Sequence, residues 1–412
     1  MWEAIRANKR KSVILIFMMA LVFGLLGVSI GEAYAPGGGG IVGVLIALVI
    51  WGGMNLVAYF QGSAILLFAS GARKIEKKDA PQLWNVTEEM TIASGLPKVP
   101  DIYIIDDMGL NAFATGRDPD HAAVAVTAGL LGALNRDQLQ GVIAHEIAHI
   151  KNRDILFMTL MGTTLGAIVI ISQFFLRTMF YGSMGGGRYG GSRRGGGGGG
   201  NPAQLIMIVV ALALAVLSPI LAQIIYYAAS RQREYLADAS GALFTRYPEG
   251  LAQALEVISR RGPKIERVSS ATAPMFIINP FMEAMAGGAM FATHPPTQER
   301  INILRSMGSS PTYQSYQQAW EKVDGKAAGR LPGSALAAVA PGEAVTAREP
   351  STHEPVQEKR HRMREASDMV RKAQGFTVID CTCGLRLKVP PDYHQNRVKC
   401  PKCGTFHNLP GK

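Results

Sequence analysis

Long uncharged stretches dominate the pattern of hydrophobic and polar positions along the 412-residue chain. Four of them, residues 13–30, 41–70, 155–176 and 203–230, contain no Asp, Glu, Lys or Arg. A helix needs about 20 apolar residues to cross the hydrocarbon core of a bilayer, so each stretch is a candidate transmembrane helix. Glycines at 37–40 lead from the first stretch into the second, which favours a hairpin over a cleaved signal peptide. The pattern predicts a multi-pass membrane protein.

Basic residues flank the first predicted hairpin on both sides. Four precede its first span and four follow its second span: Arg6, Lys9, Arg10, Lys11, Arg73, Lys74, Lys77 and Lys78. Because cytoplasmic loops carry an excess of Lys and Arg, both ends of this hairpin are predicted to be cytoplasmic. The second hairpin fits less well, since its connecting residues 177–201 carry four arginines. Either it crosses against the charge bias, or it lies partly in the membrane or against protein.

A helix with metal-ligand spacing is predicted between the two hairpins. Residues 139–150, LQGVIAHEIAHI, have apolar residues at helical spacing and include His145, Glu146 and His149. Side chains four apart share one helix face, so both imidazoles can bind one metal ion while Glu146 serves as general base. The alternative is a helix with two incidental histidines, but the flanking residues are apolar and unpaired polar groups are costly there. The motif predicts a zinc hydrolase.

A catalytic zinc ion needs a third protein ligand. His149 lies six residues before the third apolar stretch and Glu234 four residues after the fourth, so an antiparallel hairpin would bring them together. Asp238 shares a helix face with Glu234 and is predicted to orient a histidine ligand through its second nitrogen. The alternative for Asp238 is a weak surface ion pair with Arg231 or Arg233.

Five motifs occur in order along the chain: NAFATG at 111–116, HEIAH at 145–149, KNRD at 151–154, EYLAD at 234–238 and THPPTQERI at 293–301. Together they resemble the HtpX family of membrane-bound zinc metalloproteases, which is related to the CAAX prenyl endoproteases. The resemblance implies zinc ligation by His145, His149 and Glu234, with Glu146 as the general base. It also implies that Asp238 contacts a ligand and does not itself bind the metal. It implies peptide-bond hydrolysis at the cytoplasmic face of a bacterial inner membrane, in quality control of misfolded or damaged membrane proteins.

The predicted architecture follows from the spans, the motifs and the resemblance. It is a mainly α membrane protein with four transmembrane helices, a cytoplasmic α+β zincin-type metalloprotease domain and a small C-terminal zinc ribbon. Short β-branched runs at 101–105 and 122–127 predict two strands in the catalytic domain. The six segments are a transmembrane hairpin (1–70), a catalytic domain in two parts (71–154 and 231–323), a second hairpin with a Gly-rich loop (155–230), a flexible linker (324–375) and the ribbon (376–412).

The NAFATG motif follows the first predicted strand and is a candidate for substrate binding. Asn111, Ala112, Phe113 and Ala114 could form an exposed edge on which an extended substrate pairs as an added strand. The alternative is that NAFATG is only a polar turn between strands.

Two residues of the last motif have open assignments. His294 could donate a hydrogen bond to the oxyanion that forms during peptide hydrolysis, or it could cap the helix that follows two prolines. Arg300 could hold a carboxylate near the site, or it could be a surface arginine.

The four cysteines of the chain are all close to its C-terminus: Cys381, Cys383, Cys400 and Cys403. Each pair is followed by glycine, as in the knuckles of a structural zinc site. The first pair has one intervening residue where two are usual, so His407 is an alternative ligand. A module of fewer than about 40 residues rarely folds without a bound metal or another cross-link. The sequence therefore predicts a second, structural zinc ion and a ribbon available to a partner.

Composition limits the partners and the competing functions. Hydrophobic residues make up 48% and charged residues 18%, which disfavours a purely soluble protein. The net charge of +11 suits lipid headgroups or nucleic acid. Basic segments beside membrane spans are common for orientation and lipid contact, so nucleic acid is disfavoured, and a protein partner of the ribbon is preferred. A membrane adaptor with structural metals has no use for Glu146, and uncharged spans disfavour a transporter.

Overall fold

The computed structural model describes residues 2–160, 177, 232–260, 277, 295–308, 310–325, 330–337, 346–351 and 356–409. Most of the third predicted span, the whole fourth span, the Gly-rich loop and His294 lie outside these residues. The described chain is rich in helices, with one small mixed sheet in its centre and two short hairpins at its C-terminal end.

The N-terminal hairpin consists of α1 (Trp2–Tyr34) and α2 (Gly39–Ala69). The two helices approach each other at glycines: a methyl group at Gly31 would collide with the carbonyl of Gly39. The Glu32 carboxylate accepts hydrogen bonds from two backbone N–H groups in the turn and at the start of α2. By length and composition, α2 is the one helix in the described part of the chain that can cross a membrane, and Ile16–Glu32 is a shorter apolar stretch.

A four-stranded sheet follows the hairpin. Its strands are β1 (Ala72–Lys74), β2 (Asp101–Ile105), β3 (Ala112–Gly116) and β4 (Ala122–Thr127), in the order β1-β2-β4-β3. β2 and β4 are parallel and the other pairs are antiparallel. The two strands predicted from β-branched runs are therefore confirmed. α2 contacts β1, β3 and β4, so this apolar helix packs against the sheet.

Helices cover the sheet and carry the candidate site. They are α3 (Pro81–Ser94), α4 (Ala128–Ala133), α5 (Arg136–Lys151), α6 (Pro248–Arg260), α7 (Thr297–Arg305) and α8 (Tyr313–Asp324), and residues 154–160 and 232–245 are also helical. α5 packs against α3 and α6, and α6 packs against α7. A single buried apolar core joins the sheet to these helices.

The segment predicted to be a flexible linker contains ordered structure. It includes α9 (Gly333–Leu336) and α10 (Val356–Ala373). Between them, residues 346–351, here called the strap, bind the catalytic unit. The Arg348 guanidinium donates to Asp137 Oδ1 at 2.7 Å, and the Ser351 N–H donates to Asp137 Oδ2 at 2.8 Å. The strap therefore fixes the first turn of α5 to the C-terminal extension.

The ribbon follows α10 directly. It contains two antiparallel hairpins, β5 (Thr377–Asp380) with β6 (Arg386–Val389) and β7 (Arg397–Lys399) with β8 (Phe406–Asn408). α10 packs on α4, where Gly132 leaves room for Met363 and Ala366. Arg386 and Lys388 of the ribbon pair with the buried Asp368 of α10 at 2.7 and 2.6 Å. The ribbon is thus docked on the catalytic unit through α10.

The strap contact should depend on pH through Asp137. Burial alone would raise the pKa of Asp137, but the hydrogen bonds from Ser351 and Arg348 outweigh burial and lower the pKa. A carboxylate whose pKa is lowered by folding stabilises the fold above its unfolded-state pKa of about 3.9, and this stabilisation is lost as the pH falls through the lowered value. We expect Asp137→Asn to lower the melting temperature of the detergent-purified protein at pH 7 and to have a shrinking effect below about pH 4. A melting-temperature difference that stays constant between pH 3 and pH 7 would contradict this assignment.

Candidate active site

The metal-ligand motif lies on α5, whose start is fixed by a capping box. The Asn135 side chain accepts from the Gln138 N–H, and the Gln138 side chain accepts from the Asn135 N–H. These bonds satisfy two backbone donors that a helix start leaves open. His145, Glu146 and His149 follow in the last turns of α5 and are 0%, 2% and 4% exposed. Three polar side chains buried this deeply require partners.

Glu234 is brought to both histidines by the helical residues 232–245. His145 Nε2 lies 3.2 Å from His149 Nε2 and 3.4 Å from Glu234 Oε2, and His149 Nε2 lies 3.6 Å from Glu234 Oε1. One ligand atom from each residue lies within 4.8 Å of the others. A tetrahedral zinc ion with bonds of 2.0–2.1 Å separates its ligand atoms by about 3.3 Å. The spacing and the His₂Glu donor set therefore fit a zinc ion.

A carboxylate supports the outer nitrogen of each histidine. Asp238 Oδ1 lies 2.9 Å from His145 Nδ1, and Asp154 Oδ2 lies 3.2 Å from His149 Nδ1. Both carboxylates are fully buried. A hydrogen bond at Nδ1 fixes the histidine tautomer and directs the Nε2 lone pair toward a metal.

Arg300 of α7 completes the support of His145. Its Nε and Nη2 donate to the two oxygens of Asp238 at 2.8 and 2.7 Å, and its Nη1 donates to the Ile277 carbonyl at 3.3 Å. Arg300 and Asp238 are both 0% exposed. The alternative that Arg300 is a surface residue is therefore wrong. The alternative that Asp238 forms a surface ion pair is also wrong, because Asp238 is buried and its partner is the buried Arg300.

The pKa values of this group are determined by its paired charges. Burial opposes protonation of His145, but hydrogen bonds to Asp238 and Glu234 raise its pKa to about 9. Burial would raise the pKa of Asp238, but the Arg300 charge and hydrogen bonds lower it. The Asp238 carboxylate therefore remains ionised and can accept from both His145 and Arg300.

Asp154 is a site residue that the sequence analysis did not identify as one. α5 ends at Lys151, and Arg153 adopts φ 58°, a left-handed conformation that is uncommon for a residue with a side chain. This turn brings the Asp154 carboxylate back beneath His149. The sequence carried a weak signal, since Asp154 closes the KNRD motif after the metal-ligand helix, but its direction depends on the turn.

Asp154→Asn should weaken metal binding without removing a ligand. The substitution keeps the side-chain size but replaces an ionised acceptor of the His149 N–H with an amide. Loss of such a partner typically weakens metal affinity by about 10- to 100-fold. We expect the zinc dissociation constant, measured by competition with a chelating dye, to rise within that range. Asp118→Asn is the control, because Asp118 pairs with the exposed His121 away from the site. An unchanged zinc affinity in Asp154→Asn would contradict the assignment.

The predicted substrate edge is a strand, and the alternative that NAFATG is only a turn is wrong. Ala112, Phe113 and Ala114 belong to β3, which is the last strand in the order of the sheet. The edge is not exposed as expected, because every residue of β3 is buried. Its outer side is covered where the Ile277 N–H donates to the Ala112 carbonyl at 3.1 Å. Asn111 is also buried, and its Oδ1 accepts from the Ala112 N–H at 3.0 Å.

The four cysteine thiols form a second candidate metal centre in the ribbon. Three Sγ–Sγ distances are 3.4, 3.5 and 3.6 Å, and all four thiols lie within 4.8 Å of one another: Cys381, Cys383, Cys400 and Cys403. A tetrahedral zinc ion with Zn–S bonds of 2.3 Å separates its sulfurs by about 3.8 Å. His407 is not a member of this group in the described chain. The donor set therefore fits zinc.

The short first knuckle still makes the turn that a metal site needs. The Gly384 N–H donates to the Cys381 carbonyl, and the Gly404 N–H donates to the Cys400 carbonyl. Both glycines have positive φ, at 81° and 78°. The first turn has one residue fewer, and its hydrogen bond joins residues three apart where that of the second turn joins residues four apart. Both pairs of thiols therefore face one centre.

The chain is similar to several known proteins. Residues 77–308 match the family described as Peptidase family M48. A "Protease HtpX homolog" of Dictyoglomus thermophilum is 43% identical over 307 residues, 74% of this chain and 95% of that protein. A protein of the same description from Tropheryma whipplei is 40% identical over 309 residues, 75% of this chain and 99% of that protein. The crystal structure of S. mikatae Ste24p covers 74% of this chain and 67% of its own at 17% identity and a TM-score of 0.38.

Proposed function

The chain belongs to peptidase family M48 and is a membrane zinc endopeptidase, and we propose that His145, His149 and Glu234 hold its catalytic zinc ion. The observation that carries this proposal is the convergence of three buried ligand groups within 4.8 Å, two of them with carboxylates behind their outer nitrogens. Zinc in such a site lowers the pKa of a bound water and polarises the peptide carbonyl.

Glu146 is proposed as the general base and acid. It is adjacent to His145 on α5 and is 2% exposed. A carboxylate beside the ligands can take a proton from the attacking water and deliver it to the leaving amine. Asp238 and Asp154 keep the two histidines in one tautomer. His294, which precedes the two prolines before α7, stays a prediction as the donor to the oxyanion.

The substrates are proteins, and we propose that they bind extended along β3. The Thr127 N–H donates to the Asn111 carbonyl, whereas the Ala112 carbonyl accepts from Ile277, so the main-chain groups of Ala112, and of Ala114 two residues on, face away from β4. Since the Ile277 N–H bonds the Ala112 carbonyl, a substrate that pairs there must displace this contact. The expected substrates are misfolded or damaged membrane proteins, which a site close to α2 can reach.

The proposed placement is multi-pass in a bacterial inner membrane with the site on the cytoplasmic side. Tyr59 and Phe60 lie about 30 Å along α2 from Gly39 at 1.5 Å per residue, which matches the thickness of a hydrocarbon core. Aromatic residues are enriched at that boundary. The remaining turns of α2 then project from the membrane onto the sheet, and the proposed segment boundaries are those predicted from the sequence.

Two measurements test the function and the placement. The detergent-purified protein should cleave an unfolded protein, lose this activity to a zinc chelator and regain it on addition of zinc. The placement is tested by cysteine labelling. Gly38→Cys, in the α1–α2 turn, should react in intact cells with a maleimide that cannot cross the membrane. The wild-type cysteines, all in the ribbon, should react only after permeabilisation. Labelling of wild type in intact cells would overturn the cytoplasmic placement.

The ribbon is proposed to hold a second, structural zinc ion. We expect two zinc ions per wild-type chain and one per chain in the Cys400→Ser/Cys403→Ser double variant, because a four-thiolate site does not survive the loss of half its ligands. Zinc content by elemental analysis gives the count. Cleavage by the double variant should persist, since the active site lies on other elements. Loss of both zinc ions in this variant would contradict two independent sites.

A further inference from the structure

One face of the β7–β8 hairpin is exposed and carries two basic side chains and an aromatic ring. Register places Arg397 beside Asn408 and Lys399 beside Phe406, and alternate residues of a strand point to the same side. All four of these residues are exposed, and Phe406 has 63% of its surface accessible. Val398 and His407 point the other way and are half-buried. We call Arg397, Lys399, Phe406 and Asn408 the ribbon face.

The ribbon face carries uncompensated positive charge. Lys399 Nζ lies 5.8 Å from the centre of the Phe406 ring. In the described residues, Arg397 and Lys399 form no ion pair, whereas Arg386 on the first hairpin pairs with Asp368 and Asp380. Residues 356–409 contain 11 Lys and Arg against 5 Asp and Glu, an excess of 6 positive side chains that the proposed four-thiolate zinc centre, with a charge of −2, offsets only in part. An exposed aromatic ring beside two unpaired cations offers a ligand both apolar and charge–charge contacts.

The position of the ribbon disfavours the bilayer as its partner. The start of β4, at Ala122 and Ala123, and Thr159 in the helical segment after α5 line one cavity with Tyr59 and Phe60 of α2. The strap and α10 instead contact the start of α5 and α4, at the opposite end of the catalytic unit. If α2 spans the membrane, the ribbon is held about the length of α5 away from it, roughly 24 Å at 1.5 Å per residue. The Debye length is only about 8 Å at physiological ionic strength.

We propose that the ribbon face binds an extended acidic segment of a protein, with carboxylates on Arg397 and Lys399 and an apolar side chain on Phe406. This proposal rests on the proposed proteolysis, because the segment would belong to a protein substrate. Three-residue strands span about 10 Å, which matches about three residues of an extended peptide. Single-stranded nucleic acids stack successive bases on several aromatic rings, whereas the ribbon face has one, Phe406. Docking through α10 gives the captured segment a fixed place relative to the active site.

The test measures binding to the full-length Glu146→Gln protein, which cannot consume the probe. The probe is a dye-labelled peptide in which glutamates flank a phenylalanine, and its anisotropy is compared with that of the same peptide carrying glutamines. We expect the glutamate peptide to bind at least about tenfold more tightly, and Arg397→Glu/Lys399→Glu to remove this preference. Lys359→Glu/Arg360→Glu, two exposed cations on α10, is the control and should bind as the parent does. Both variants should retain their zinc content.

Three results would overturn the proposal. They are equal affinity for the two peptides, equal loss of binding in the α10 control, and tighter binding of a single-stranded oligonucleotide than of the glutamate peptide. Because binding is read without cleavage, its failure is separate from a failure of proteolysis. In the active protein, a substrate bearing the acidic segment should show a raised KM and an unchanged kcat when Arg397 and Lys399 are reversed.

Discussion

Glu146→Gln should abolish most of the peptide cleavage while leaving the zinc content unchanged. The amide has nearly the size of the carboxylate but cannot take a proton from the attacking water. General acid–base catalysis by one side chain contributes about 10²- to 10⁴-fold, so kcat should fall by that factor. Glu146 is not one of the three ligand groups, so the metal should remain bound. The measurement is initial-rate cleavage of an unfolded protein together with zinc per chain.

A matched control separates the role of Glu146 from a general effect of removing a carboxylate. The side chain of Glu88 on α3 is 45% exposed and pairs with Lys77 at 3.5 Å, so Glu88→Gln should retain the wild-type rate. Retained cleavage by Glu146→Gln would show that another group moves the proton. Loss of zinc from this variant would instead place Glu146 among the groups that hold the metal.

The convergence of the three proposed zinc ligands could be predicted from the sequence, because their geometry is local or topological. His145 and His149 are one helical turn apart, so the helix alone brings them together. Glu234 is distant in sequence, but two apolar stretches between it and His149 implied an antiparallel hairpin. The structure brings these three residues together even though most of those two stretches lie outside the described residues.

The supporting residues could not be predicted with the same rules. Asp154 reaches His149 only because Arg153 adopts a left-handed conformation, and no periodicity encodes that turn. Arg300 reaches Asp238 through packing of α7, and the sequence left it open between a site and a surface residue. The outer side of β3 is covered at Ala112 by Ile277, which is distant in sequence and carries no motif.

The strap and the docked ribbon show a different limit. The Ala, Pro, Gly and mixed charges of residues 324–375 favour a flexible linker, but composition does not show that a few polar contacts can anchor such a segment. Arg348, Asp137 and Ser351 make these contacts through charge and backbone groups. Whether a segment of this composition is mobile or anchored therefore depends on the residues it contacts. Those residues, such as Asp137, come together with the segment only in the folded chain.

Arg300→Met should be the most destabilising single substitution in the site. It removes the guanidinium that gives two hydrogen bonds to Asp238 and leaves a fully buried carboxylate without its cation. Breaking a buried pair by removing one partner costs about 3–5 kcal/mol. Arg300→Lys should also be costly, because an ammonium cannot reproduce the bidentate contact. The free energy of unfolding in detergent, measured by denaturant titration of the metal-free protein, gives the size of the effect.

Arg305 supplies the comparison that makes this prediction specific to burial. It lies on the same helix, α7, and pairs with Glu249 and Glu256, but its side chain is 40% exposed. Exposed pairs contribute about 0–1 kcal/mol, so Arg305→Met should change the free energy of unfolding by no more than that. Equal losses in the two variants would mean that α7 is sensitive to any lost cation. A large loss in Arg300→Met alone would trace the stability to the Arg300–Asp238 pair, through which α7 holds His145 in position for the metal.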